Sequence, residues 1–455
     1  MFIDFLKSTF EKNSTADAIV WKEQIFKYQF LLDRTRFWND ALAKENVQPG
    51  TVVIIDGDFS PNGIALFLSL LERGCILVPL TAGALTKKKE YMTIAQGEVM
   101  IFFDENDEAH FERRSCVAHH DMYDRLRDSG HPGLVIFSSG STGEAKASLH
   151  DLSILLEKFK KPGHRYRTIT FLFYDHIGGF NTMLYTLANA GCLITLSNRF
   201  PDYVLSMVEK FKAELLPTSP TFLNLMILSE AYKNYDLSSL KKITYGTEPM
   251  LEKTLKRLHE ILPQVDLLQT YGLTEIGILQ SRSKSSESLW VKVGGEGFQT
   301  RVMNGCLQIK ARSAMIGYLN ALSPFTDDGW LETGDSVEQD GEYIKILGRK
   351  SEVINVGGQK VFPAEVENVI YGMANVMEVS VYGEKNMIVG NIVCARVNLV
   401  QDEDTTDFVA RLKKHCRSQL ETFKVPVKVF IVKDRLFSEK FKKKHMFLAQ
   451  DEVSL

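Results

Sequence analysis

From about residue 51 the chain repeats one rhythm, a short β-branched run, a stretch with helical spacing, then another β-branched run. Val52-Val53-Ile54-Ile55 reads as a strand, residues 64–72 as a helix, and Ile76-Leu77-Val78 as the next strand. The rhythm returns at Leu134-Val135-Ile136-Phe137, in a helix over 183–190, the strand Leu193-Ile194-Thr195-Leu196, a helix over 203–212, and strands ending near Tyr245 and Tyr271. Strands spaced by helices predict parallel sheets covered by helices, with ligands beyond the strand C-termini. After about Gly294 the texture turns to glycine-punctuated short strands, such as Gly305-Cys306-Leu307-Gln308-Ile309, predicting a β-rich subdomain. After Arg349 a third texture predicts a separate α+β domain: strand-like Val353-Ile354-Asn355-Val356, a helix from Pro363, strands near Val379 and Ile392, and a helix over 407–420. At 455 residues the chain exceeds one ordinary core, so several domains fit its length.

Composition removes other classes. With 44% hydrophobic and 24% charged residues and a formal net charge of -3, the chain reads as globular, with no basic excess for coating a nucleic acid. The six cysteines are scattered with no CxxC pair, which argues against a disulfide framework or a zinc knuckle and for reduced thiols in a cytoplasm. The start, Met1-Phe2-Ile3-Asp4-Phe5, lacks the basic flank of a signal peptide. No apolar run approaches the roughly 20 residues that span a bilayer. The densest charge run, Lys440-Phe441-Lys442-Lys443-Lys444-His445, reads by itself as a solvated surface.

Three segments carry chemistry. The strand at 134–137 runs into Ser138-Ser139-Gly140-Ser141-Thr142-Gly143-Glu144-Ala145-Lys146. Glycines let backbone N–H groups approach a phosphate, hydroxyls add donors, and the lysine adds a point charge. A plain surface turn has the same composition. A Walker-type loop needs glycine before its lysine and Ser or Thr after it, whereas Ala145 and Ala147 stand there. In Leu268-Gln269-Thr270-Tyr271-Gly272-Leu273-Thr274-Glu275 an apolar run ends in an aromatic, a glycine and a carboxylate fit for magnesium, or simply an exposed glutamate. In Glu332-Thr333-Gly334-Asp335 an aspartate follows a tight turn, suited to two ribose hydroxyls or merely closing the turn.

Taken in order, these segments resemble the adenylate-forming superfamily that contains acyl-CoA synthetases, the adenylation domains of peptide synthetases, and firefly luciferase. Further matching stretches are Gly74-Cys75-Ile76-Leu77-Val78-Pro79-Leu80, Gly317-Tyr318-Leu319-Asn320, Gly348-Arg349, and the run from Gly357-Gly358-Gln359-Lys360 to Glu367. The resemblance covers nearly the whole chain. It implies an α/β fold with a large N-terminal domain of helix-covered sheets plus a β-rich subdomain over 1–348, a hinge at 349–352, and a small mobile α+β C-terminal domain over 353–455.

The resemblance also implies roles. Ser138, Ser139, Gly140, Ser141, Thr142, Gly143 and Lys146 hold the β- and γ-phosphates of ATP. Gly246, Thr247 and Glu248 lie against adenine, and Tyr271 borders it. Thr274 contacts the α-phosphate, Glu275 ligates Mg2+, and Asp335 with Arg349 grips the ribose. The late catalytic lysine, counted from Lys424-Val425-Pro426, falls on Lys442; Phe441 replaces the usual preceding glycine, so Lys440 and Lys443 stay open as alternatives. His176 aligns with a residue near the acyl pocket, though a histidine before a helix also serves as a cap. Asp175 lies in the neighbourhood where amino-acid-activating relatives use an aspartate to bind the α-amino group, which points to an amino acid substrate only if the register matches, while the glycines beside it favour an acyl-CoA synthetase. Rotation of the C-terminal domain about Ser351, where relatives often have aspartate or lysine and which reads equally as a plain loop residue, presents Gly357 and Gly358 to a pantetheine thiol. The implied activity is ATP-dependent joining of a small carboxylic acid to CoA, or to the phosphopantetheine of a separate carrier protein; a non-catalytic binding protein on the same fold is the third reading. Which acid is joined is not legible from one sequence.

Overall fold

The computed structural model describes residues 2–81, 87–139 and 144–437, with the side chain of Ser139 left out. Two seven-stranded sheets form the body of the N-terminal region. One runs Asp266–Gln269, Lys242–Tyr245, Leu215–Thr218, Arg167–Ile169, Cys192–Ile194 and Asp17–Trp21, all parallel, with Gln24–Lys27 antiparallel at its edge. The other runs Gly317–Tyr318, Ala145–Asp151, Gly133–Ser139, Ile76–Leu80, Val52–Asp56, Val99–Phe103 and Ala109–Arg113. Its middle strands are parallel, and residues 52–55 are buried on both faces, which is why they read as an unbroken apolar run. Between them the helix Pro61–Arg73 starts at Ser60, whose side chain accepts from Gly63 N at 3.0 Å, and stops at Gly74 in the left-handed conformation, φ 79°.

The strand that follows the phosphate loop departs from the parallel rhythm. Gly133–Ser139 and Ala145–Asp151 pair antiparallel, with Ser138 opposite Lys146. The reason is length, since a parallel crossover takes about a dozen residues and the loop between these strands is far shorter. The β-rich sheet is antiparallel, in the order Gln280–Ser283, Trp290–Gly294, Tyr343–Arg349, Leu331–Asp340, Cys306–Ala311 and Phe298–Met303, so it begins before Gly294. The helix expected over 183–190 starts earlier, at Ile177–Ala188, because its first turn is glycine-rich and shows little apolar periodicity.

The C-terminal domain carries its own apolar core, including Val366, Ile370, Val381, Val397, Phe408 and Leu412. A sheet of Gln359–Val361, Ile354–Val356, Gly390–Leu399, Val376–Asn386 and Lys428–Ile431 packs on helices Pro363–Ile370 and Thr405–Gln419. Among the described residues no helix is long and apolar enough to cross a membrane.

Candidate active site

Antiparallel register builds the first half of the site. Asp335 and Arg349 are direct partners on the strands Leu331–Asp340 and Tyr343–Arg349, and Arg349 Nε reaches Asp335 Oδ1 at 3.0 Å. Gly334 turns the strand at φ 74°, where a side chain is strained. Thr333 Oγ1 accepts from Asp335 N at 3.1 Å and donates to Leu307 O at 2.7 Å, and Arg349 also donates to Thr333 O. Tyr271, at the end of the parallel sheet, donates its hydroxyl to Asp335 Oδ2. Burial pushes the Asp335 carboxyl up against the opposing pull of Arg349, and burial together with the Asp335 charge holds the Tyr271 phenol well above its ordinary value. The phenol therefore stays protonated and donates to the Asp335 carboxyl, with the arginine alongside.

Carbonyl clamping builds the second half. Three successive peptide carbonyls in the turn after Leu273 are each fixed from elsewhere: Thr274 O accepts from His150 Nε2 at 2.6 Å, Glu275 O from Met315 N at 2.7 Å, and Ile276 O from Ser313 Oγ at 2.9 Å. The Glu275 carboxylate accepts from the Tyr318 hydroxyl, and Lys146 Nζ lies 5.2 Å from the centroid of the Tyr318 ring. Asn320 locks the lysine's strand by accepting from Ala147 N at 3.0 Å and donating to Ala145 O at 2.7 Å. Lys146, Thr274, Glu275 and the 317–320 stretch thus converge.

His150 was not singled out by sequence reasoning. It is fully buried, and burial pulls its pKa down to about 4 even though its bond to Thr274 favours the protonated ring, so the ring is neutral at pH 7. A signal was there in the strand itself. Lys146, Ser148 and His150 alternate along Ala145–Asp151 and so share one face, a polar row inside an otherwise apolar sheet.

Other candidates take more structural positions. A Cβ on Gly246 would lie 2.8 Å from Thr270 O, so only glycine lets these two strand ends approach. Thr247 is exposed with φ 76°, a strained conformation for a β-branched residue. Glu248 Oε1 accepts from Thr221 N at 2.7 Å, at the start of the helix Pro220–Leu228. His176 caps the helix Ile177–Ala188, accepting from Gly178 N at 3.0 Å, and Asp175 accepts from Thr81 Oγ1 at 3.0 Å. Gly357 and Gly358 form an exposed turn of the C-terminal domain, with φ 58° and 87°. Gly140, Ser141, Thr142, Gly143, the Ser139 side chain, Lys442 and its alternatives Lys440 and Lys443 lie outside the described residues.

Among the described residues no group of three His, Cys, Asp or Glu forms a metal cage. A single carboxylate such as Glu275 still suits Mg2+, which keeps waters and takes most of its remaining ligands from substrate phosphates.

Residues 6–297 match the AMP-binding enzyme family, and residues 365–440 match the AMP-binding enzyme C-terminal domain. An indoleacetate–CoA ligase of Aromatoleum aromaticum is 29% identical over 328 residues, 66% of this chain and 63% of that protein. A 4-coumarate–CoA ligase of Narcissus pseudonarcissus is 29% identical over 282 residues, 56% of this chain and 51% of its own length. The matched region thus spans between half and two thirds of these relatives. The solved structure of an anthranilate CoA ligase in complex with anthranoyl-AMP superposes with a TM-score of 0.81 at 18% identity, covering 97% of this chain and 95% of that one. The o-succinylbenzoate CoA synthetase from Bacillus subtilis gives 0.77 at 18% identity, covering 97% and 96%. The chain belongs to the AMP-binding enzyme family.

Proposed function

We propose that the protein is an acid–thiol ligase that adenylates a carboxylic acid with ATP and transfers the acyl group to the thiol of CoA. The observation that carries this reading is the convergence of two networks, Asp335–Arg349–Tyr271 and Glu275–Tyr318–Lys146, on the two ends of the segment 271–275. One offers a buried acceptor beside an aromatic ring, fit for a nucleoside sugar. The other offers a lysine and a carboxylate, fit for a magnesium polyphosphate. The names of the matched relatives, CoA ligases of aromatic and aliphatic acids, support the thiol and the acid class.

In the first step an oxygen of the substrate carboxylate attacks the α-phosphorus, the bond to the β-phosphate bridging oxygen breaks, and pyrophosphate leaves. Two anions must meet, so the barrier is largely electrostatic and falls with pre-positioned donors and cations. Lys146 and the loop 138–143 hold the departing phosphates, Thr274 steadies the α-phosphate, and Lys442 bridges it to the acid. Magnesium held on Glu275 would neutralise phosphate charge when bound. In the second step the thiol sulfur attacks the acyl carbonyl, its proton is lost, and AMP departs. We assign the hinge between the steps to residues 349–352, which hold the short 3-10 helix Lys350–Glu352, and the thiol's entry to the turn at Gly357 and Gly358.

A pyrophosphate-release screen with ATP and Mg2+ over indoleacetate, 4-coumarate, octanoate and related acids tests the reading. Acid-dependent pyrophosphate followed by acyl-CoA formation is expected. AMP-linked turnover that completes only with a phosphopantetheinyl protein moves the acceptor to a carrier, and no release with any acid sinks the ligase reading.

A further inference from the structure

After the edge strand Lys428–Ile431 the chain forms a strap that touches both domains. On the C-terminal side Asn398 Nδ2 donates to Lys433 O at 3.3 Å and Asp434 O at 3.2 Å, and the Leu436 N–H donates to Glu378 Oε2 at 2.6 Å, with Glu378 and Leu436 both buried. On the N-terminal side Phe437, 7% exposed, is part of the apolar cluster that includes Phe171, Leu196 and Phe222. Beside it the Arg435 guanidinium lies 4.5 Å from the ring centroid of Phe200, the residue preceding helix Pro201–Phe211, and 5.9 Å from that of Phe437.

From this geometry we infer that Arg435, Phe437 and Phe200 form a latch that docks the C-terminal domain in the arrangement serving adenylation. The inference rests on the ligase reading for its chemistry and on the strap alone for its geometry. The two sides of the strap differ in kind. The bonds to Asn398 and Glu378 are internal to the C-terminal domain and travel with it. The contacts of Arg435 and Phe437 cross to the N-terminal domain and must break if the domain turns about residues 349–352. Phe437 also fixes reach. Lys442 follows it by five residues, a tether of roughly 17 Å at full extension, so seating Phe437 confines the lysine to that radius. A cation–aromatic contact at an exposed edge is weak and easily broken, which suits a contact made and released in each cycle. Arg435, Phe437 and Phe200 are therefore positioning residues; Arg435 lies against the rings of Phe200 and Phe437, and Phe437 belongs to the apolar cluster.

Separate measurement of the two half-reactions tests the latch, using the acid selected by the pyrophosphate-release screen. Phe200→Ala and Arg435→Ala, on opposite domains, are each expected to slow acid-dependent pyrophosphate–ATP exchange roughly two- to fivefold. Transfer of the acyl group from the chemically prepared acyl-adenylate to CoA stays at the wild-type rate or rises, and Arg435→Lys recovers part of the exchange rate. Equal losses in both half-reactions, or no loss in either, overturn the latch. Hydrogen exchange on the full chain needs no substrate. Peptides containing Phe200 and Phe437 should exchange faster in both alanine variants, and unchanged protection overturns the docking itself. A wild-type protein inert toward every acid breaks the ligase reading, while the exchange measurement still judges the docking.

Discussion

The turn 274–276 and the turn 357–358 are built on opposite principles. In the first, every carbonyl is tied to a distant segment, with donors from residue 150 on one strand and residues 313 and 315 in one loop. In the second, both residues are exposed glycines with positive φ whose N–H groups donate to Val389 O at 2.7 Å and Asn355 Oδ1 at 3.0 Å, but among the described residues no atom beyond their chain neighbours lies within 4 Å of the place where either Cβ would sit. Charge stabilisation in a transition state requires dipoles that do not reorganise, and a clamped backbone supplies them. Threading a long thiol-bearing arm requires the reverse, a narrow backbone with nothing beside it. On the proposed reading the molecule keeps phosphate chemistry on a rigid turn and thiol delivery on an open one.

The strongest way to break the comparison is at Glu275. Glu275→Gln keeps the shape and the bond from Tyr318 but removes the charge, so acid-dependent pyrophosphate exchange should fall about a hundredfold or more. The loss should shrink as Mg2+ is raised. A variant with near wild-type exchange at low Mg2+ shows that the rigid turn does not hold the metal.

His150 sharpens the comparison, because it tests whether clamping matters or only the residues clamped. His150→Gln preserves a donor of similar reach, whereas His150→Ala leaves the Thr274 carbonyl without one. Alanine should lower exchange about tenfold and stability by roughly 2 kcal/mol, with glutamine recovering part of both. The pH dependence follows from linkage. The folded-state pKa of about 4 lies below the ordinary 6.5, so the neutral ring stabilises the fold fully above pH 6.5, and that contribution is lost as pH falls toward 4. Chemical denaturation of the wild type should show this acid decline, of order 3 kcal/mol in total, and His150→Gln should flatten it. An unchanged acid limb in the variant would assign the decline to other groups.

Local signals in the sequence are enough to find many of these parts, and their limits are physical. Strands such as Val52–Asp56 announce themselves because burial on both faces demands β-branched residues throughout. Asp335 and Arg349 are each visible as motif residues, but their contact follows from antiparallel register across the turn that links their strands. Tyr318 stands in the sequence only as one member of Gly317-Tyr318-Leu319-Asn320, and its bond to Glu275 comes from a two-residue strand at the edge of another sheet. The Glu248 bond to Thr221 N and the His176 cap depend on where helix N-termini fall in space. His150 was missed because a histidine in a strand carries no local signature until its partner, far along the chain, is known.

The smallest expected effect probes the open turn. Gly358 has φ 87°, and alanine there meets no neighbour, so its cost is backbone strain alone, roughly 1 kcal/mol. Such strain closes the turn slightly or shifts it, without touching Glu275, Asp335 or Lys146. Gly358→Ala should therefore slow acyl transfer to CoA several-fold and leave pyrophosphate exchange unchanged, the reverse of Glu275→Gln. Thermal unfolding separates a folding defect from a local one, since a destabilised domain would slow both half-reactions together. If the alanine variant slows exchange as much as transfer, the turn is not reserved for the thiol and the division of labour between rigid and open segments fails.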